Sequence, residues 1–321
     1  MRLVPSAEQR RFADTLDELL TDADVPAVSE AWARGVTGPG RALWTRLADA
    51  GVAGLTVPER WGGVGGTTGD LVVACEVLGR HALPGPVAES VAAVPALLGG
   101  LADDGPAGKW LPEVAAGRVL ATLATPPLLP YAVDAHAAEL VLLAEPDAVR
   151  LGRPGVTHES LDPTRHPTEL AAGEPLATGA ALGRALDLGA LACAAQLLGA
   201  GHALLDATVA YAKTRVQFGR AIGAFQAVQH RLADVAVALE FARPLLYAAA
   251  ATGTPLDVSA AVVSCGDAAQ TAARAAVQVH GAIGYTREYG LGRWLTKIPA
   301  LRTAWGTPAY HRARVLAELT R

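Results

Sequence analysis

Apolar residues recur at helical spacing almost from the start of the chain. Phe12, Leu16, Leu19 and Leu20 mark one face of a segment that Ser6 can cap, with Gln9 three positions on to complete a capping box. Breaks at Pro26 and across 35–40 separate it from a second helical stretch at 41–50. Leu71, Ala74, Cys75 and Leu78 line one side of a buried helix over 70–80, and 87–101 reads as another. This helical region closes near Trp110-Leu111-Pro112. The pattern then changes. The stretches 120–124 and 139–144 are short apolar runs of strand length bounded by Pro and Asp, 148–151 suggests a further strand, and 161–165 suggests a turn.

Helical periodicity returns beyond Arg184. Leu186, Leu191, Leu197, Leu198, Leu204 and Leu205 run through a long segment, 185–213. Val228, Leu232, Val235, Leu239 and Phe241 pattern 226–252, where Pro244 is expected to kink or break the helix. Pro255 opens a third segment that ends at His280, and a fourth, 300–320, is interrupted at Gly306-Thr307-Pro308. Short connections between long apolar helices predict a bundle. The expected organisation is a helical domain over 1–116, a β domain over 117–175 and a helical bundle over 176–321. The fold class is mainly α with a small β middle domain.

Composition narrows the picture. Only 18% of the 321 residues are charged and the net charge is −4, so nothing points to nucleic acid or an anionic membrane. Cys75, Cys193 and Cys265 are odd in number and far apart, without metal-ligand spacing, as expected for buried thiols in a reducing cytoplasm. The N-terminal residues lack the apolar core of a signal peptide, and Asp, Arg, Gln or Gly interrupt the most apolar segments. No metal-binding motif and no Ser-His-Asp arrangement is evident. His230 and His280 stand alone and read as structural. The glycines from Gly62 to Gly66 lack the preceding strand of a dinucleotide fingerprint.

Two motifs carry the candidate chemistry. The first is Tyr211-Ala-Lys-Thr-Arg215-Val-Gln217-Phe218-Gly219-Arg220, followed by Phe225-Gln226 and Gln229-His230. The second runs from Gln278-Val-His280-Gly281 to Gly284-Tyr285 and Glu288. Arg215 offers a planar fork of donors suited to a pyrophosphate, and Phe218-Gly219 forms a turn with an aromatic face. The plainer alternatives are an Arg215 that only pairs with a carboxylate and a Gln278 that only caps a helix.

Together these motifs resemble the C-terminal helical domain of the acyl-CoA dehydrogenases. The segment Trp44 to Gly66 resembles the helix and glycine-rich turn of that family's N-terminal domain. The resemblance implies an N-terminal helical domain, a β-barrel and a C-terminal four-helix bundle, with FAD as cofactor and an acyl-CoA as substrate. It assigns Arg215, Phe218 and Gln226 to the adenosine diphosphate half of FAD. Gln278 and Gly281 would reach the cofactor from a neighbouring subunit, and position 282 is Ala where a second Gly is usual. The middle of the chain departs from the family. Its 117–173 stretch is short, and Thr125-Pro126-Pro127 is the nearest remnant of the Thr-Glu-Pro and Gly-Ser-Asp elements that clasp the flavin. The expectation is a reduced barrel and a poor flavin seat.

The reaction needs a carboxylate at the substrate α-carbon. The resemblance places it just before Gly306-Thr307, where this chain has Trp305, or on the first helix of the last domain, where it has Gly189. Asp187 is the nearest acid but projects from a different helical face. Asp267 and Glu288 read as surface or capping residues. The resemblance therefore implies no catalytic residue in this chain. It implies a non-catalytic subunit of an α2β2 acyl-CoA dehydrogenase, such as those acting on steroid side-chain CoA thioesters, sharing FAD with a homologous full-length subunit. An electron-transfer flavoprotein is one acceptor that the resemblance allows. The alternatives are a monooxygenase of the same fold, which needs no glutamate, and a scaffold without cofactor.

Overall fold

The computed structural model describes residues 3–179, 181–286 and 289–320, with the Tyr285 side chain left aside. Arg287 and Glu288 of the second motif lie outside the described residues. Three helices open the chain: α1 (Ala7–Asp22), α2 (Val25–Ala33) and α3 (Gly38–Asp49). Ser6 and Gln9 form the expected reciprocal capping box on α1, and Leu16 and Leu20 are its buried residues. The break expected at Pro26 falls just before it, at Ala23 and Asp24, but a helix that the pattern did not mark, α2, starts there. Pro26 sits in the first turn of α2, where its missing N–H costs nothing.

Next come α4 (Thr68–Arg80), a π-helical turn (Glu89–Ala93), α5 (Val94–Gly99) and α6 (Asp104–Ala115). The single helix expected over 87–101 is thus a π turn running into a short α-helix. The sequence pattern also misses α6, because Pro106 and Pro112 lie within it.

The middle of the chain forms a five-stranded sheet of β1 (Ala121–Ala124), β2 (Ala132–Val133), β3 (Leu140–Ala144), β4 (Ala148–Thr157) and β5 (Pro167–Thr178). Its order is β1-β3-β4-β5-β2, with β1 and β3 parallel and the other pairs antiparallel. The two edge strands also lie close to each other, so the sheet curls towards a small barrel. β5 runs past the expected boundary at 175.

The C-terminal region is built on α7 (Leu182–Thr214), α8 (Gln226–Thr252) and α9 (Pro255–His280). A two-stranded hairpin, β6 (Val216–Gln217) and β7 (Arg220–Ala221), joins the first two. α10 (Gly292–Ala304) and α11 (Pro308–Leu319) complete it, separated where Gly306-Thr307-Pro308 was expected to interrupt. α8 is continuous through Pro244, contrary to the expected kink or break. The turns on both sides of the proline are anchored by buried Leu239, Ala242, Leu246 and Tyr247, which hold the helix across one missing hydrogen bond. α7 and α8 are both long and apolar enough to cross a membrane by composition, but most of α7 is buried inside the fold.

α7 ties the molecule together. It crosses α4 with backbones in close approach, since a Cβ at Gly79 would stand 2.1 Å from the Gln196 carbonyl oxygen and one at Gly199 1.8 Å from that of Glu76. The N-terminal domain is thereby fixed against the bundle near the middle of α7.

Candidate functional site

Trp305 and Gly189 meet. Trp305 is the last residue before the break between α10 and α11, and it is only 3% exposed. Its indole lies flat against the backbone of α7 at Gly189. A Cβ there would stand 2.1 Å from Cζ3 and 2.3 Å from Cη2 of the ring. Any side chain at position 189 would collide with the indole.

The local chain holds Trp305 in this pose. Gly306 follows with φ at +102°, a conformation L side chains avoid, and its missing Cβ gives room to Tyr310 and His311. Thr307 caps α11 by accepting from Tyr310 N at 3.1 Å, and Pro308 sits in the first turn. His311, buried beneath, donates from Nε2 to the Trp305 carbonyl at 2.9 Å, and its Nδ1 is 3.2 Å from Ser259 Oγ. Burial pushes its pKa down, as suits a neutral ring in this position.

Asp187 does not reach this contact. Its carboxylate receives the Arg314 guanidinium in a two-pronged pair at 2.5 and 3.1 Å, directed to α11. A cleft of about 290 Å³ opens there, walled by Thr68, Arg184, Asp187, Pro255 and Arg314, and Trp305 is not part of its lining. Asp267 is likewise engaged by Arg302 at 2.7 Å and Arg312 at 2.6 Å.

A buried polar layer that sequence reasoning missed lies between the sheet and the bundle. Lys297 on α10 donates to Asp162 Oδ2 at 2.8 Å and to Thr164 Oγ1 at 3.0 Å. Asp162 in turn accepts from the Thr164 main chain and hydroxyl, closing the turn expected at 161–165. Burial would raise the Asp162 carboxyl, yet the Lys297 ammonium and these hydrogen bonds outweigh it and hold the pKa below the usual value. Glu89 on the π turn is buried, with Oε2 unpartnered among the described residues. Burial pushes its pKa up, and Arg165 offsets part of that rise. The same layer faces Cys193, whose thiol burial pushes up to about 12 and which donates to the Leu301 carbonyl at 3.3 Å. The one available signal was a lysine inside the apolar stripe of Trp294, Ile298 and Leu301.

The residues assigned to the nucleotide lie elsewhere, at the end of the bundle where α7 ends, α8 begins and α9 ends. Arg215 closes α7 and is exposed, with no ion-pair partner among the described residues. Phe218 is at the tip of the β6–β7 hairpin, 91% exposed, at φ +52°, with its ring edge-on to Phe225. Arg220 lies over the other ring of that pair, 4.0 Å from the Phe225 centroid.

Gln226 and Gln278 are exposed on the first turn of α8 and the last turn of α9. Gly281 caps α9 at φ +64° with open space where a Cβ would be. His280 stacks on Tyr211 with centroids 4.3 Å apart and so joins the ends of α9 and α7. Its Nδ1 donates to the Ala276 carbonyl, and the buried Nε2 has no partner among the described residues. His230 is exposed.

This donor set is suited to the phosphates and ribose of FAD: a guanidinium and two carboxamides without side-chain partners among the described residues, and an unobstructed glycine backbone. The flavin-ring end fits less well. At the end of β1, Thr125 offers a buried hydroxyl without a partner among the described residues, but Pro126 and Pro127 follow and add no donor.

The description "Acyl-CoA dehydrogenase, C-terminal domain" matches residues 179–320, and "Acyl-CoA dehydrogenase, N-terminal domain" matches 6–118. The chain is 33% identical over 296 residues to the acyl-CoA dehydrogenase IpdE2 of Mycobacterium tuberculosis, covering 90% of each chain. Its fold superposes on butyryl-CoA dehydrogenase from Megasphaera elsdenii with a TM-score of 0.86 at 22% identity, over 100% of both chains. It also superposes on a Tcur3481-Tcur3483 steroid ACAD variant with a TM-score of 0.84 at 24% identity, covering 98% of each.

Proposed function

This chain belongs to the acyl-CoA dehydrogenase family, and from that membership we propose that it is the partner subunit of a heteromeric, FAD-dependent acyl-CoA dehydrogenase. In this reading a homologous full-length subunit supplies the carboxylate that removes the α-proton, and bound FAD accepts the hydride. This chain contributes Arg215, Phe218 and Gln226, or Gln278 and Gly281, to the nucleotide half of the cofactor at the subunit interface. The substrate is an acyl-CoA thioester. A steroid side-chain CoA is the class to test first, because a solved structure of the same fold is described as a steroid ACAD. An electron-transfer flavoprotein is the expected acceptor.

The observation that carries the reading is the contact of Trp305 with Gly189. If these are the two positions at which the family places its base, as the sequence resemblance implies, both are occupied by one indole, which accepts no proton and leaves no space for an acyl chain between them. The outer surface adds support. Val237, Phe241 and Leu245 form an exposed apolar stripe at four-residue spacing on α8, with Phe241 72% exposed. A further groove of about 590 Å³ lies beside it, between α8, α9 and α11. Such a stripe is suited to cover by another subunit.

The test is purification of the chain alone and together with its homologous partner, followed by flavin absorbance and acyl-CoA oxidation with an artificial acceptor. Flavin and turnover are expected only in the co-purified complex. Robust turnover by the single chain would overturn the reading, flavin bound by the single chain without dehydrogenation would favour a monooxygenase, and a colourless complex would favour a scaffold. Within the complex, Arg215→Ala is expected to weaken flavin retention by about tenfold or more, the worth of a charge-assisted hydrogen bond. An unchanged flavin-to-protein ratio after dialysis would make Arg215 a structural residue only.

A further inference from the structure

A cluster of two histidines and one carboxylate lies on the rim of the sheet. β2 and β5 pair with Val133 opposite Pro167, so the residues flanking that pair, Asp134 and His166, fall side by side. Asp134 N donates to the His166 carbonyl at 3.0 Å. The chain then turns at once, and His136 comes back over the pair, its ring edge-on to that of His166 at 4.7 Å. One ligating atom from each of Asp134, His136 and His166 lies within 4.8 Å of the others.

The carboxylate at the centre is unusual. Asp134 is 0% exposed. Its Oδ1 already accepts from Trp32 Nε1 at 3.1 Å and from the His166 main chain at 3.3 Å, and it lies 2.7 Å from His166 Nδ1. Its Oδ2 is buried and has no partner among the described residues. A carboxylate taken wholly out of water is stable only when both oxygens are engaged by donors or a cation. Here one oxygen is crowded and the other has nothing.

We infer that Asp134, His136 and His166 form a site for one divalent transition-metal ion of the zinc class, completed by water. Two imidazoles and a carboxylate are the donor set such ions take with an open position. Coordination requires adjacent donor atoms to stand about 3 Å apart, at metal–nitrogen distances of about 2.0–2.1 Å. The close Oδ1–Nδ1 pair would open slightly, and the exposed His136 would swing in by rotation of its own side chain. Trp32, on α2, supports the site from the N-terminal domain, since its indole N–H donates to the carboxylate. The ion would therefore pin α2 to the rim of the sheet. Sequence inspection finds no motif because the ligands come from two different strands at one end of their pairing, with only Asp134 and His136 close along the chain.

The test uses the tag-free full-length chain, stripped with a chelator and titrated with Co2+ and with Zn2+ against a chromophoric competitor. One equivalent of Co2+ is expected to bind saturably and develop visible ligand-field bands. His136→Ala removes an exposed side chain without disturbing the core, and is expected to lower the affinity by at least about tenfold and abolish the bands. His158→Ala, which alters a histidine paired with Glu169 outside the cluster, is expected to leave both unchanged. Absence of saturable binding, or equal binding by the His136→Ala chain, would overturn the assignment.

Discussion

Trp305→Glu is expected to destabilise the chain by about 3 kcal/mol or more and to yield no dehydrogenation by the single chain. The substitution restores the residue type the family uses at this position, yet every local feature opposes it. The indole is buried against α7, so its removal leaves a void of the kind that makes Trp truncations cost about 3–5 kcal/mol. The glutamate that replaces it would then occupy an interior position beside an Arg314 already committed to Asp187. Urea unfolding measures the first effect and acyl-CoA oxidation the second. A stable variant that turns over substrate would show that the site is a working one with a single residue changed.

The contact itself can be tested through a change of sign. Gly189→Ala places a methyl group 2.1 Å from the ring and is expected to cost about 1–3 kcal/mol through overpacking. In a Trp305→Leu background the same change is expected to be neutral or stabilising, since alanine exceeds glycine by about 1 kcal/mol inside a helix. Additive effects in the double variant would mean that the two residues do not touch.

Lys297→Met is expected to cost about 3–5 kcal/mol, the loss seen when one partner of a buried ion pair is removed. Both partners are enclosed, Lys297 with 4% and Asp162 with 1% of the side chain exposed. The pair joins α10 to the turn before β5, so the variant loses the tie between bundle and sheet as well as the charge balance. The pH dependence carries a definite sign. With Lys297 present the folded pKa of Asp162 lies below its ordinary value of 3.8. Its contribution is therefore fully present above that value and is lost as pH falls through the folded pKa. Without Lys297 only the Thr164 hydrogen bonds oppose burial, so the Asp162 carboxyl loses the largest of the interactions that hold its pKa down. The stability gap between the two proteins should narrow as pH falls through 3.8. A constant gap across that range would place the effect in packing.

The helices were legible where local chemistry marks their ends. Ser6 with Gln9, Pro255 and the glycine after His280 set boundaries by rules that act within one turn. α6 and the first part of α10 were hidden because Pro106, Pro112 and Pro299 punctuate a periodicity that tertiary packing then sustains. β5 was hidden because Glu169, Gly173, Glu174 and Pro175 disrupt the alternation, and its place is fixed by a ladder to β4 with repeated register shifts. Trp305 and Gly189 were each singled out from the sequence, but their contact belongs to three dimensions. So does the pair of Lys297 with Asp162, 135 residues apart. A glycine and a tryptophan carry no mark of each other in a sequence.

The stripe of Val237, Phe241 and Leu245 has a consequence for how such a chain lives in a cell. Synthesised in excess, it would present an uncovered greasy ridge of the sort that chaperones and quality-control proteases recognise. Its abundance should then follow the supply of whatever covers α8 and not its own rate of translation, so that an unmatched copy is short-lived and a matched one persists.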